Sequence, residues 1–211
     1  MKFKAILFDL DGTLLDTSGL IVDSFKHAFQ IHYRKEVDVS KVHEFFGKSL
    51  RSAMEYLGPD KVDELIDTYR EHNLKYHDEL IDIFPNVVTT IEFLHKNNIK
   101  LGIVTSKTQK TAIRGLKIFG LDQYFPVVIG IEECMNPKPH PEPVQTAMRL
   151  LSVNSEECLM IGDSTADISS GKSAGVKTAA VKWTHVNWNN ILGEKPDYVL
   201  ENMEDLLYIM E

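Results

Sequence analysis

The feature that most constrains this chain is an alternation between short apolar runs and helix-length segments. Residues 3–10 (FKAILFDL), 100–106, 126–130, 158–162, 177–181 and 197–200 are short apolar stretches. A run that is apolar throughout, rather than at every second position, suits a strand covered on both faces. Helical spacing fills 86–97, 109–119, 142–151, 165–174 and 203–210, and Gly120 stands where a helix C-terminus needs a glycine. Strands alternating with helices predict a parallel sheet with right-handed crossovers. One stretch interrupts this rhythm. Ile21, Val22, Phe25, Ala28 and Phe29 recur at helical spacing, and Pro59-Asp60 opens a helix whose apolar face carries Val62, Leu65, Ile66 and Tyr69. No strand is expected from that first helix to about residue 80. The prediction is an α/β protein: a Rossmann-like core of residues 1–16 and 81–211, with a helical domain of residues 17–80 inserted after the first strand.

Charge narrows the partners. The 211 residues carry a formal net charge of −8, which disfavours nucleic acid and anionic membranes, since both ask for a basic face. A small anionic substrate stays compatible, because a few cations can reverse the sign inside a cleft. The two cysteines, Cys134 and Cys158, form no CxxC pair, so no zinc cluster or disulfide framework is expected. MKFKAILFDLDG is too short an apolar run for a signal peptide, and no stretch approaches a membrane span. A cytoplasmic protein, monomeric or weakly dimeric, is the expectation.

Ligands of open α/β sheets bind at the carboxyl ends of the strands, and the acids of this chain fall there. The first strand ends in Asp9-Leu10-Asp11-Gly12-Thr13, the second in Thr105-Ser106-Lys107, and the fourth in Gly162-Asp163, with Asp167 four residues on. Asp9 and Asp11 are two apart in extended chain and start on one side. Carboxylates so close repel unless a cation joins them, and a hard divalent ion with oxygen ligands does so. Lys138 sits in Asn136-Pro137-Lys138-Pro139-His140-Pro141, a loop stiffened by proline. Each motif alone has an ordinary explanation: Asp-Gly is a common turn, Ser106 or Thr108 can cap a helix, and KPxP is often only a stiff loop. All of them together, in order and at strand ends, outweigh that explanation.

These residues resemble the four motifs of the haloacid dehalogenase (HAD) superfamily of phosphatases: Asp9-Leu-Asp11-Gly12-Thr13, Thr105, Lys138-Pro-His-Pro141 and Gly162-Asp163-Ser-Thr-Ala-Asp167. The helical insertion is similar to the cap of the phosphoglycolate phosphatase and β-phosphoglucomutase branch. Within that branch, Asp78-Glu-Leu80, Gly102–Lys107, Lys138–Pro143 and Trp183-Thr184 look most like a bacterial inorganic pyrophosphatase. The resemblance implies a HAD-like core, a magnesium cofactor, and a small phosphorylated substrate: pyrophosphate first, phosphoglycolate or another phosphometabolite as the alternative. It implies Asp9 as nucleophile and metal ligand, Asp11 as general acid and base with its carbonyl on the metal, and Thr105 and Lys138 on the phosphoryl group beside the amides of Leu10 and Asp11. Asp163 would hold magnesium, and Asp167 would support it. The family more often has Asp where His140 stands.

Other readings were weighed. Gly47-Lys48-Ser49 imitates the end of a P-loop, but Val42 stands where its first glycine belongs. In the resembling branch this segment faces the active site, so Lys48, Arg51, Ser106 and Lys107 become candidates for the substrate. His72 and His77 have no zinc spacing and are expected on the surface. A dehalogenase is disfavoured by Asp11, and a non-catalytic module by the retention of Asp9, Asp163 and Lys138. A mutase keeps both acids and stays open. The insertion is expected to move about hinges at Asp16–Gly19 and Ile81–Pro85.

Overall fold

A computed structural model of the chain describes residues 2–210. The elements run β1 (Ala5–Phe8), β2 (Leu15–Asp16), α1 (Ser18–Tyr33), α2 (Val39–His43), α3 (Leu50–Leu57), α4 (Val62–Leu80), β3 (Asp82–Ile83), α5 (Val87–Lys96), β4 (Lys100–Val104), α6 (Gln109–Ile118), β5 (Val127–Ile129), α7 (Glu142–Leu151), β6 (Cys158–Gly162), α8 (Thr165–Ser173), β7 (Lys177–Val181), α9 (Trp188–Gly193), β8 (Tyr198–Leu200) and α10 (Asp205–Ile209). Six strands form one sheet in the order β5-β4-β1-β6-β7-β8, and every pairing in it is parallel. The α/β fold with a parallel sheet is the one expected.

The strand order fixes where a ligand can sit. From β1 the chain goes outward through β4 and β5, then returns to the other side of β1 for β6, β7 and β8. Such a reversal opens a crevice beyond the carboxyl ends of the central strands. The period of two along β1 supplies both layers. Ile6 and Phe8 join one buried cluster with residues such as Ile91, Leu94 and Leu206, while Ala5 and Leu7 join another with Val144, Ala147 and Leu151.

Helices α1 to α4 pack on one another around a third cluster that includes Phe25, Phe29, Met54, Leu65 and Ile66. The chain enters and leaves them through a short antiparallel ladder, in which Leu15 pairs with Ile83 and Asp16 with Asp82. Two-residue strands carry too little pattern to be read from sequence, and neither this ladder nor α9 was expected. The helix expected to start at Pro59 begins as a 3₁₀ turn over Pro59–Lys61 and becomes α4. No helix among the described residues is long and apolar enough to cross a membrane.

Candidate active site

The loop after β1 folds back on itself. Asp9 N–H donates to the Ile161 carbonyl at 2.8 Å, extending the β1–β6 ladder by one bond, and Leu14 and Leu15 N–H then return to the Leu10 carbonyl. The amides of Leu10 and Asp11 have no backbone acceptor among the described residues. Gly12 has φ +86°, and a Cβ there would stand 2.3 Å from Asp163 Oδ2. Only glycine lets this loop come so close to the end of β6.

Lys138 joins the strand ends. Its ammonium donates to Asp9 Oδ1 at 2.6 Å, to Asp167 Oδ1 at 2.6 Å and to the Val104 carbonyl at 2.9 Å, so all three protons are used. Asp167 Oδ2 accepts from Ser164 N–H and Oγ–H in the capping box that starts α8. Asp163 Oδ2 accepts from Thr184 Oγ at 3.2 Å. Its other oxygen, Oδ1, is buried without a partner among the described residues. At the end of β4, Thr105 Oγ1 accepts from Lys107 N–H, and Lys107 Nζ pairs with Asp11 Oδ1 at 2.6 Å. Thr108 caps α6, as the sequence allowed.

Asp9, Lys138, Asp163 and Asp167 are all buried, so their charges are weakly screened. Burial pushes the Asp9 carboxyl up to about 7 against the pull of Lys138. Burial also raises Asp163, with Asp9 and Asp167 adding to it. Burial pulls Lys138 down, but Asp167 and Asp9 outweigh it and leave the ammonium above its ordinary value. When all three carboxylates are ionised they face one ammonium, an excess of two negative charges, and the raised values of Asp9 and Asp163 reflect the cost of that excess. One oxygen from each of Asp9, Asp163 and Asp167 lies within 4.8 Å of the others. A charge excess of two, an orphaned carboxylate oxygen and an all-oxygen donor set fit a hard divalent cation. The Asp11 carboxylate, committed to Lys107, lies outside this group.

Above these residues a cavity of about 560 Å³ is lined by Asp9, Asp11, Thr105, Ser106 and Lys107 from the strand ends, and by Lys48, Arg51, Tyr69, Arg70 and Asn73 from the inserted helices. The fold thus brings Asp9, Asp11, Thr105, Ser106, Lys107, Lys48 and Arg51 to one cavity, with Lys138, Asp163 and Asp167 gathered at Asp9. Their engagements differ, however. Arg51 pairs with Asp63 at 2.7 Å, with both side chains exposed. Lys48 is exposed and lies over the Phe45 ring, 4.8 Å from its centre. Ser106 Oγ–H donates across to the Gly47 carbonyl at 3.0 Å, a bond between the core and the insertion. His140 is exposed and its Nδ1 accepts from the Glu142 N–H at 3.2 Å, away from the Lys138 ammonium, so its departure from the usual Asp leaves the Lys138 contacts intact.

Two expectations need amending. His77, expected at the surface, is fully buried; its Nδ1 bonds Asp78 Oδ1 at 2.9 Å. It sits where α4 meets α6, beside Gly115. His72 is half-buried, its Nδ1 3.2 Å from Ser24 Oγ. Sequence reasoning also passed over Thr184, Arg70 and Asn73 as site residues, and took Tyr69 only as part of an apolar face. A signal existed, since Tyr69 and Asn73 are four apart on the inward face of α4.

The comparisons with known proteins agree with this geometry. The haloacid dehalogenase-like hydrolase family model matches residues 6–181. The chain is 44% identical over 210 residues to "Pyrophosphatase PpaX" of Bacillus mycoides, covering all of this chain and 98% of that one. It is 42% identical, with the same coverage, to the PpaX of Halalkalibacterium halodurans. Among solved structures, a predicted phosphoglycolate phosphatase from Haemophilus somnus superposes with a TM-score of 0.89 at 26% identity, covering all of this chain and 99% of the other.

Proposed function

Because this chain belongs to the haloacid dehalogenase-like hydrolase family, we propose that it hydrolyses inorganic pyrophosphate through a phosphoryl group carried on Asp9. The observation that carries this reading is the buried array of Asp9, Lys138, Asp163 and Asp167 at adjoining strand ends. Buried charges are costly, and a fold that needed only stability would gain more from apolar residues there.

The residues divide the work as phosphoryl transfer requires, by positioning and by neutralising oxygens. An Asp9 oxygen attacks phosphorus while the bridging P–O bond breaks, leaving the phosphoryl group on Asp9. The departing oxygen takes a proton from Asp11. Water then attacks the same phosphorus, gives its proton to Asp11, and releases Asp9. Covalent catalysis splits the reaction into two displacements, and one carboxyl can serve both as acid and base. The Thr105 hydroxyl and the amides of Leu10 and Asp11 hold the transferred oxygens, and Lys138 turns its Asp9 proton to them once Asp9 carries the phosphoryl group. Asp9, Asp163 and Asp167, with the Asp11 carbonyl, would hold magnesium. When bound, it supplies positive charge that offsets repulsion between Asp9 and the phosphoryl oxygens.

Residues 17–80 act as a lid in this scheme, with residues 1–16 and 81–211 as the catalytic core and the β2–β3 ladder as the crossing point. Ser106 and Lys107 face the lid from the core side, and Lys48 and Arg51 are its own cations. Closure excludes bulk water from the phosphoryl group, and opening releases phosphate. We place the enzyme in the cytoplasm, as a monomer or weak dimer. A second reading, phosphoglycolate hydrolysis, is favoured by the Haemophilus somnus neighbour. Steady-state comparison of the two substrates, with magnesium and an Asp9→Asn control, tests the proposal. A higher kcat/KM for pyrophosphate is expected. A higher value for phosphoglycolate overturns the substrate, and near-native turnover by Asp9→Asn overturns the mechanism.

A further inference from the structure

Whatever holds the leaving group must line the cavity across from Asp9. Sequence spacing nominates Lys48, Arg51 and Lys107, but in the folded chain each is engaged. Lys107 pairs with Asp11, Arg51 pairs with Asp63, and Lys48 rests on Phe45. Arg70 differs. It lines the same cavity, and among the described residues no carboxylate lies within ion-pair distance of it.

Its neighbours on α4 complete a binding surface. Tyr69 lines the cavity beside it, and its ring packs edge-on against Phe25, centres 5.1 Å apart, which fixes the direction of the hydroxyl. Asn73 Nδ2 donates to Tyr69 Oη at 3.5 Å and to Ser24 Oγ at 3.4 Å. Both bonds are long, so the carboxamide is loosely held. Since Tyr69 Oη accepts from Asn73, its own proton remains to be donated. Ser24 gives its proton to the Leu20 carbonyl at 2.7 Å and cannot compete for that role. Burial and the charge of Asp11 both raise the Tyr69 phenol above its ordinary value, so it stays protonated and a donor. The cavity side of α4 therefore offers an exposed guanidinium with no ionic partner among the described residues, a phenol proton, and an amide whose two long bonds can be exchanged for bonds to a ligand, opposite the core acids.

We propose that Tyr69, Arg70 and Asn73 of α4 form the subsite that binds a compact anionic leaving group, phosphate or a small carboxylate. This rests on the phosphohydrolase reading above and deepens it, moving specificity from the 47–51 loop to α4. A guanidinium presents paired donors that match two oxygens of phosphate or carboxylate. The phenol adds a donor with direction and little flexibility.

The test compares kcat/KM for pyrophosphate, phosphoglycolate and p-nitrophenyl phosphate, whose leaving group is a neutral-faced aryl ring carrying no such cluster of anionic oxygens. Arg70→Ala should lower the ratio of the better anionic substrate to the aryl phosphate by about tenfold or more, chiefly through KM, as loss of a charge-assisted contact does. Arg70→Lys should restore part of it, and Tyr69→Phe should lower the ratio by about threefold to tenfold. Melting curves matching the parent establish that each variant folds. The substrate reading and this inference fail separately. If phosphoglycolate beats pyrophosphate, pyrophosphatase falls, but the ratio is then read with phosphoglycolate. A ratio that holds in both Arg70→Ala and Tyr69→Phe overturns the inference. So does one that falls in Arg51→Ala and holds in Arg70→Ala, or a parent enzyme that turns over only the aryl phosphate.

Discussion

The strand-end half of the cavity and the inserted-helix half handle charge in opposite ways. At the strand ends Lys138 and Asp167 are almost wholly excluded from solvent, and the ammonium spends every proton at 2.6–2.9 Å. On the insertion, the Arg51–Asp63 pair is mostly exposed, 58% and 78%, and Arg70 has no ionic partner among the described residues. An exposed pair is worth only about 0.2–1 kcal/mol and is broken cheaply, whereas removing one member of a buried pair costs about 3–5 kcal/mol. The first half is therefore fixed before substrate arrives, and the second can rearrange around it. That division suits an enzyme family in which the phosphoryl group is constant and the leaving group varies, because differential binding of the variable part sets specificity.

The sharpest way to break the comparison is to attack the fixed half. Asp9→Asn should lower turnover by about four orders of magnitude or more, since a covalent step has no substitute. The variant keeps nearly the same shape, so its fold should persist by circular dichroism. Lys138→Met should in addition cost about 3–5 kcal/mol of stability in urea unfolding, because it strands buried carboxylates. Near-parent stability in Lys138→Met would mean that these charges are not held as a unit.

Metal dependence comes next. Chelation should abolish activity and magnesium restore it. In addition, magnesium should raise the melting temperature of the parent, by an amount equivalent to about 2.7 kcal/mol at a hundred times the dissociation constant. Asp163→Ala removes the carboxylate with the orphaned oxygen and should lose most of that shift. An equal shift in parent and variant would place the cation elsewhere.

The fixed half was also the legible half. Asp9, Asp11, Thr105 and Asp163, with Asp167 four residues on, could be named because they follow apolar runs whose strand ends converge in such a sheet, and Lys138 because prolines stiffen the loop that carries it. The parallel sheet followed from the same alternation. The insertion was legible as helices but not as a site. Arg51 and Lys48 were nominated by position in a loop, while Arg70 stands in the middle of α4, where one more exposed charge is unremarkable in sequence. Whether such a cation is free depends on what folds beside it, here Asp63 beside Arg51. His77 was misjudged for the same reason: its burial comes from α6 and Gly115, far away in the chain. The β2–β3 crossing escaped because two residues cannot display a period.

A smaller effect probes the seam between the halves. Gly47 has φ +79°, and a Cβ there would lie 2.4 Å from Ser164 Oγ. The Gly47 carbonyl also accepts the Ser106 hydroxyl. Gly47→Ala combines a strained left-handed backbone, about 1–2 kcal/mol, with a clash against the core. Closure should weaken, and kcat should fall by about tenfold for every substrate alike. A loss confined to one substrate would instead assign Gly47 to leaving-group binding and blur the line between the halves.

The smallest effect lies where the two halves are bolted together. Asp78 pairs with Arg114 of α6 at 2.8 Å, Arg114 also donates to the Leu74 carbonyl, and His77 is buried beside them with no partner for Nε2 among the described residues. Burial holds the His77 imidazole below its ordinary value of 6.5, Asp78 opposes this through its hydrogen bond, and Lys107 and Arg114 reinforce it. The folded state therefore keeps His77 neutral at a pH where the unfolded chain has already taken a proton. Above about 6.5 both states are neutral, and the stability is fully present. As pH falls below 6.5 the unfolded state binds the extra proton and is favoured, so stability is lost until the folded-state value is passed. In urea unfolding between pH 7.5 and 5, His77 adds a positive part to the slope of stability with pH, while the raised carboxyls of Asp9 and Asp163 add a part of the opposite sign. His77→Gln should make the measured slope less positive, or more negative, by less than about 1.4 kcal/mol per pH unit, the limit for one proton. His43 and His72 are also held low, mainly by burial, and keep part of the slope in the variant. An unchanged slope in His77→Gln would show that His77 takes its proton as readily folded as unfolded, and that the joint between α4 and α6 is open to water.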